Sequence, residues 1–236
     1  MSDFFSNELG QSLEWFGLAH ILLIVGFLAS IVLLWVFLPR IKNRPYEKWI
    51  RYFILLLVVL FEWNVFESRI LTTSLLRMPL CAVALYSLTY AVACKKEKVF
   101  VIGYFYAFGS LLSFLFFDTP WGLDRWNGWT FFGAHAMIAW LAVYGYKVLG
   151  FTPKKKDFIR SSLYLVLFAI ISGYATYRFG GSDELFLFTP PVDFLVSLQD
   201  VHVLLYLLVF SSFIAVMMGF MYLTIYFSQK QVKKLH

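Results

Sequence analysis

The sequence predicts an all-α, polytopic membrane protein with seven transmembrane helices, and three observations carry that expectation. Of its 236 residues 61% are hydrophobic and only 14% charged, which is more apolar surface than a soluble chain of this length can hide. The apolar residues fall into seven runs, each near the ~20 residues that cross a hydrocarbon core of about 30 Å. Sixteen of the twenty Lys and Arg residues lie at alternate breaks between those runs, the pattern of short cationic loops kept in the cytoplasm.

In chain order the spans are expected over 13–37, 49–69, 75–94, 99–117, 126–148, 158–177 and 200–227. The cationic breaks hold Arg40, Lys42, Arg44, Lys48 and Arg51, then Lys95, Lys96 and Lys98, then Lys147, Lys154, Lys155, Lys156 and Arg160, then Lys230, Lys233 and Lys234. The other breaks keep only Arg69, Arg77, Arg125 and Arg178, and they collect acids such as Glu67, Asp118, Asp124, Asp183, Glu184 and Asp193. This charge pattern places the amino terminus outside and the carboxyl terminus inside. Residues 1–14 agree, with Asp3, Glu8 and Glu14 and no cation, so a secretory signal with its positive opening is not expected.

One transmembrane domain is expected over 1–236. The net charge of +6 is divided among inner loops instead of being gathered on one solvated face, which argues against nucleic acid. Cys81 and Cys94 fall near opposite ends of one expected helix and cannot pair with each other. Trp15, Trp49, Trp121, Trp126 and Trp129 stand where an interfacial belt belongs. The outer stretch 178–199, with Gly180, Gly181, Pro190 and Pro191 around the apolar 185–188, is expected to re-enter or to lie on the surface. No span carries paired Gly and Pro at mid-depth, which weighs against a transporter.

An ionisable side chain inside a span is costly, and so it marks a functional hypothesis. His20, Glu62, Arg77, Cys81, His135, Asp200 and His202 are expected within a slab roughly 10 Å thick below the outer headgroups, with the inner half nearly empty of such groups. Each also has a plain structural role to set against function. His20 can be a hydrogen-bonded packing residue, Glu62 an ion-pair partner of Arg69 or Arg77, Cys81 a small hydrophobe and His202 a solvated side chain.

Taken together, the groups fit acyl transfer. Cys81 would be the nucleophile and His135 its base. Arg77, one turn away, would favour the thiolate and hold a lipid phosphate. His20, or a backbone amide near Gly109 or Gly133, would stabilise the oxyanion. A zinc site built from His20, Glu62, His135 and His202 lacks any H-x-x-x-H or H-E-x-x-H pair that would put two ligands on one helical face. No metal and no cofactor are therefore expected, and phosphate loops, nucleophile elbows and dinucleotide fingerprints are absent.

Several landmarks, in order, resemble a known family. They are Leu13-Glu14-Trp15-Phe16-Gly17-Leu18-Ala19-His20, Glu62 with Glu67, Met78-Pro79-Leu80-Cys81, Tyr106-Ala107-Phe108-Gly109-Ser110 through Thr119-Pro120, Phe131-Phe132-Gly133-Ala134-His135, and Gly180-Gly181 through Pro190. Together they resemble the YwaF-type bacterial membrane proteins, which are related to the animal transmembrane-protein-164 acyltransferases. The resemblance implies acyl transfer between membrane lipids by a cysteine and a histidine, the histidine carrying over to His135. The family's cysteine stands four residues after the proline, a place held here by Val83, whereas Cys81 stands two after Pro79. Either a local register difference brings Cys81 to that spot, or any catalysis runs through His135 and Glu62.

The expected function is thus an acyltransferase at an outward-facing pocket of the plasma membrane, plausibly bacterial, acting on a phospholipid or a lipid-linked acceptor. Catalytic roles fall to His135, Cys81 and Glu62, and substrate-binding roles to Arg77, His20, His202 and Asp200. The alternative is a non-catalytic membrane subunit that binds a lipid headgroup or a partner protein.

Overall fold

The computed structural model describes residues 4–6, 8, 10–71, 74–117, 119–191 and 193–234, without the side chains at 64, 67–71, 74–75, 193 and 228–234. Expectations placed on Asp3 and Asp118, and on the side chains of Glu67, Arg69, Asp193, Lys230, Lys233 and Lys234, lie outside the described residues. The described chain is all-helical: α1 (Leu18–Phe37), α2 (Glu47–Leu71), α3 (Leu80–Cys94), α4 (Glu97–Tyr106), α5 (Phe108–Leu115), α6 (Trp126–Lys147), α7 (Lys155–Phe179), α8 (Asp193–Val201) and α9 (Val203–Lys234). Each expected span coincides with a helix, α4 and α5 together forming the fourth. Four stretches, Leu18–Ile41, Glu97–Leu115, Lys155–Phe179 and Val203–Phe227, are long and apolar enough to cross a membrane.

Local chemistry sets the helix ends. Pro39 enters a 3-10 turn (Leu38–Ile41) that closes α1, and Asn43 then takes a left-handed conformation at φ 63°, which Asn tolerates better than most residues. Pro79 stands just before α3, and Lys95 ends that helix at φ 53°. The Lys154 N–H donates to Asp157 Oδ2 at 3.0 Å to start α7, with Gly180 closing it at φ 69°.

Long-range bonds tie the helices into an up-and-down bundle. At the end where α1 begins, here the upper end, the Trp126 N–H donates to Phe4 O, and the Gln11 N–H to Asp124 Oδ2. At the lower end Arg51 reaches the end of α3, Tyr144 reaches Glu47, and the Thr152 N–H donates to Glu97. The cationic loops containing Arg40, Lys42, Lys95 and Lys154 therefore share the lower end.

Helices α3, α4 and α6 form the centre, around Leu85, Leu88, Phe100, Phe105, Leu141 and Tyr144. Small residues allow the close approach: a Cβ on Gly103 would lie 2.8 Å from Leu88 Cγ and 2.9 Å from Ala84 O, the pattern expected where hydrocarbon supplies no drive for helix association. A second cluster, with Phe27 stacked on Phe114 at 3.9 Å, joins α1, α5 and α6. The outer helix α1 buries only His20 and Phe27 and leaves Leu22, Val32 and Leu33 more than half exposed, as a lipid-facing helix does.

Two details differ from the sequence expectation, and a third stretch gains detail. The fourth span is interrupted at Ala107, between α4 and α5. The break sits against buried Tyr106 and Phe108 and is bridged by the Ser110 N–H and Oγ donating to Ala107 O, so its backbone is satisfied inside protein. The lower half is also not empty of charge, because Glu47, Arg51 and Lys95 meet there. Finally, the outer stretch after α7 is a built structure that ends in α8. Asp183 accepts the N–H groups of Leu187, Phe188 and Thr189, Leu185 is buried, and the Tyr206 hydroxyl donates to Phe186 O.

Candidate functional site

The upper half of the bundle holds seven side chains of interest, and their partners sort them. His20 is fully buried. Its Nδ1 accepts the Phe16 N–H at 2.9 Å, and its Nε2 lies 2.7 Å from Phe114 O. A carbonyl can only accept, so Nε2 carries the proton and the ring is neutral with both nitrogens engaged. Phe114 lies in the last turn of α5, where carbonyls lack intrahelical partners, so His20 pins α1 to the end of α5. Its ring packs against Phe16 and Phe117.

Arg77 does a similar job for α7. It is buried, and its Nη1 donates to Gly180 O at the cap of that helix, where a cation also meets the negative end of the helix dipole. Gly181 lies against the guanidinium so closely that a Cβ there would overlap Nη1. Its φ of 93° is a second reason for glycine. His202 caps the start of α9, its Nδ1 accepting the Leu204 N–H at 3.1 Å, and it is exposed, as is Asp200 on α8.

Glu62, Cys81 and His135 remain, on α2, α3 and α6, three helices that pack on one another. Glu62 is 7% exposed and its Oε1 accepts the Tyr86 hydroxyl at 2.9 Å, linking α2 to α3. Cys81 is partly buried in the first turn of α3, against the central core. His135 is 8% exposed, and its Nδ1 lies 2.7 Å from Phe131 O, one turn earlier in α6. That carbonyl fixes the proton on Nδ1, so the lone pair of the neutral ring is on Nε2. His135 thus uses Nδ1 as a donor within its own helix, whereas His20 uses its ring to join α1 to α5. Gly133 makes room beside it: Phe61 of α2 packs where a Cβ would stand, 2.7 Å from the ring.

Sequence reasoning passed over Tyr86. Its signal was an aromatic with a polar tip in an apolar helix, a residue that seeks a partner when buried. The lower-end cluster was also missed. Arg51 donates through Nε to Glu47 Oε1 at 3.2 Å and through Nη1 to Ala93 O at 2.9 Å, while the Tyr144 hydroxyl donates to Glu47 Oε1 at 2.5 Å. Among the described residues, no three His, Cys, Asp or Glu side chains gather in a metal-binding arrangement.

Residues 15–222 match the profile of the TMEM164 family. The chain belongs to the TMEM164 family. The matched region runs from just before α1 into α9 and takes in His20, Glu62, Cys81 and His135, so the family relationship expected from the ordered landmarks holds. It is a membrane protein family, in keeping with the long apolar helices. No curated protein and no solved structure matches the chain.

Proposed function

We propose that this TMEM164-family chain is a single seven-span domain of the plasma membrane, its upper end outside the cell, that transfers acyl chains on or between membrane lipids. The cationic loops at the lower end support that orientation, and cells that follow the positive-inside rule, bacteria among them, fit it. Helices α2 and α6, with 25 and 22 residues, reach about 37 and 33 Å at 1.5 Å per residue, which supports counting them as spans.

The observation that carries the chemistry is the tautomer of His135, whose Nδ1–H is held by Phe131 O so that Nε2 is basic. In the proposed reaction Nε2 takes the Cys81 thiol proton and the sulfur attacks the ester carbonyl carbon of a donor phospholipid. The carbon–oxygen bond to the glycerol breaks, and the leaving hydroxyl receives the proton from His135, leaving a thioester on Cys81. An acceptor lipid hydroxyl then gives its proton to Nε2 and attacks the thioester, and the thiol is restored. Glu62, oriented by Tyr86, contributes negative charge that favours the imidazolium formed in each step.

The test is transfer of a labelled acyl chain from phosphatidylcholine to a lysophospholipid in nanodiscs. Wild type should transfer label and carry a hydroxylamine-labile fraction, and Cys81→Ser and His135→Ala should lose both. Transfer that survives Cys81→Ser but not His135→Ala would move the chemistry to His135 and Glu62. A second reading is favoured by the number of upper polar groups spent on backbone, His20, Arg77 and His202 among them. On that reading the chain is a non-catalytic subunit binding a lipid headgroup or a partner protein. Wild type that moves no label from any phospholipid, while still binding lysophospholipid, would favour it.

A further inference from the structure

On the outward face of α2, away from the residues above, lies an open groove of about 510 Å³ lined, among the described residues, by Phe5, Leu56, Val59, Leu60, Trp63 and Trp126. The geometry points to a retained-lipid site: this groove seats the hydrocarbon of one phospholipid from the upper leaflet. The assignment needs only the membrane character of the chain and not the acyl-transfer chemistry.

Its position argues for lipid. Leu56 is near the middle of α2 and Trp63 lies seven residues further toward the upper end, about 10 Å along the helix. Trp126 is the first residue of α6, and its indole, like that of Trp63, suits the boundary between hydrocarbon and headgroups. The groove therefore runs from mid-depth to the upper interface, the direction and depth of an acyl tail. Water gains little there, since the described side chains that line it are apolar or aromatic.

The walls are held in place, which separates this groove from the rest of the lipid-facing surface. The Trp126 N–H donates to Phe4 O at 2.7 Å. That bond brings Phe5 over the upper mouth, with its ring 6.1 Å from the Trp126 indole. On its other side Trp126 stacks on Phe61 at 5.8 Å, and Phe61 is held by Gly133 of α6. A tail in the groove would touch α6, the helix that carries His135, at its first residue, Trp126.

The experiment uses full-length protein in phosphatidylcholine nanodiscs doped with a phosphatidylcholine bearing a diazirine at the end of one acyl chain. After illumination, crosslinks are mapped by peptide mass spectrometry. The control surface is the face of α7 formed by Leu163, Val166, Leu167 and Ile170, which is as exposed as Leu56 and Trp63. Severalfold more label is expected on the α2 segment from Leu56 to Trp63 than on α7. Val59→Trp or Leu60→Trp, each filling the groove, should remove that excess while α7 keeps its label, which also reports that the variant is folded. Cys81→Ser should leave the pattern unchanged, so loss of acyl transfer and loss of lipid retention are read separately. Equal labelling of α2 and α7, meaning annular contact only, would overturn the site. So would an α2 excess that survives both Trp substitutions.

Discussion

His20→Ala tests whether the buried histidine of α1 is a pin or a participant. The substitution removes two bonds, the Phe16 N–H to Nδ1 at 2.9 Å and Nε2–H to Phe114 O at 2.7 Å. The carbonyl of buried Phe114 is left without its partner, at about 1–3 kcal/mol, whereas Phe16 is 55% exposed and its N–H can turn to water at a smaller cost. The space left by the imidazole adds to this, so a loss of about 3–6 kcal/mol is expected. For a chain of this length 1 kcal/mol shifts the midpoint by roughly 2–4 °C, so the loss corresponds to a shift on the order of 10 °C. Because unfolding in detergent is read as a rate, the assay is the half-life of folded protein at fixed temperature, measured by size-exclusion chromatography. His20→Gln, whose amide can donate and accept, should recover part of the loss. Acyl transfer per folded molecule should stay near wild type in both. Native stability in His20→Ala, or lost transfer with stability intact, would refute the pin.

For His135→Ala the expectation is reversed, with transfer falling about 10²–10⁴-fold, the usual contribution of a positioned base, while the half-life in detergent changes little. Tyr86→Phe removes the hydroxyl donor to Glu62 and should cost about 1–3 kcal/mol; unchanged stability there would mean that the carboxyl does not depend on it. Arg51→Met removes one partner from the partly buried Glu47, which keeps Lys95 and Tyr144, and takes a donor from the end of α3, so about 1–3 kcal/mol should be lost. Adding Glu47→Gln should restore part of that loss, and a double variant no better than the single one would break the proposed pairing. Gly181→Ala forces a Cβ into the Arg77 guanidinium at a backbone angle that favours glycine, at a cost of about 1–3 kcal/mol, and should increase proteolysis between α7 and α8.

Much of the architecture was readable because it rests on properties the chain carries locally. The run around Leu22 and Val32 is apolar on every face, and a helix of that kind belongs in lipid. Lys95, Lys96 and Lys98 interrupt two such runs and mark a turn at the cationic end. Pro79 marks the start of α3. The partners of the polar groups were not readable in this way. Phe114 O is 94 residues from His20, and Glu47 is 97 residues from Tyr144, so nothing in the neighbouring sequence signals either pair. The interruption at Ala107 has no proline to announce it. It is stabilised by Ser110, whose role in an apolar helix looks the same from sequence whether or not the helix is continuous.

A common physical cause joins three of the residues that sequence logic first treated as functional or overlooked. His20 donates to the last turn of α5, Arg77 to the cap of α7, and Arg51 to the last turn of α3. A helix ends with carbonyls that have no partner within the helix, and in a membrane protein water is not always there to supply one. A buried donor answers the missing hydrogen bond, and the guanidiniums of Arg77 and Arg51 also meet the negative end of the dipole. The inference from an ionisable residue in a span to a functional site therefore depends on whether the group donates or accepts. Donors have a structural use at every buried helix end. A carboxylate such as Glu62, or an imidazole such as His135 whose remaining nitrogen carries a lone pair, cannot satisfy a carbonyl through that atom. Glu62 and His135, on α2 and α6, which pack together, are thus the members of the upper group that helix capping by donation does not account for, and the acyl-transfer proposal rests on them.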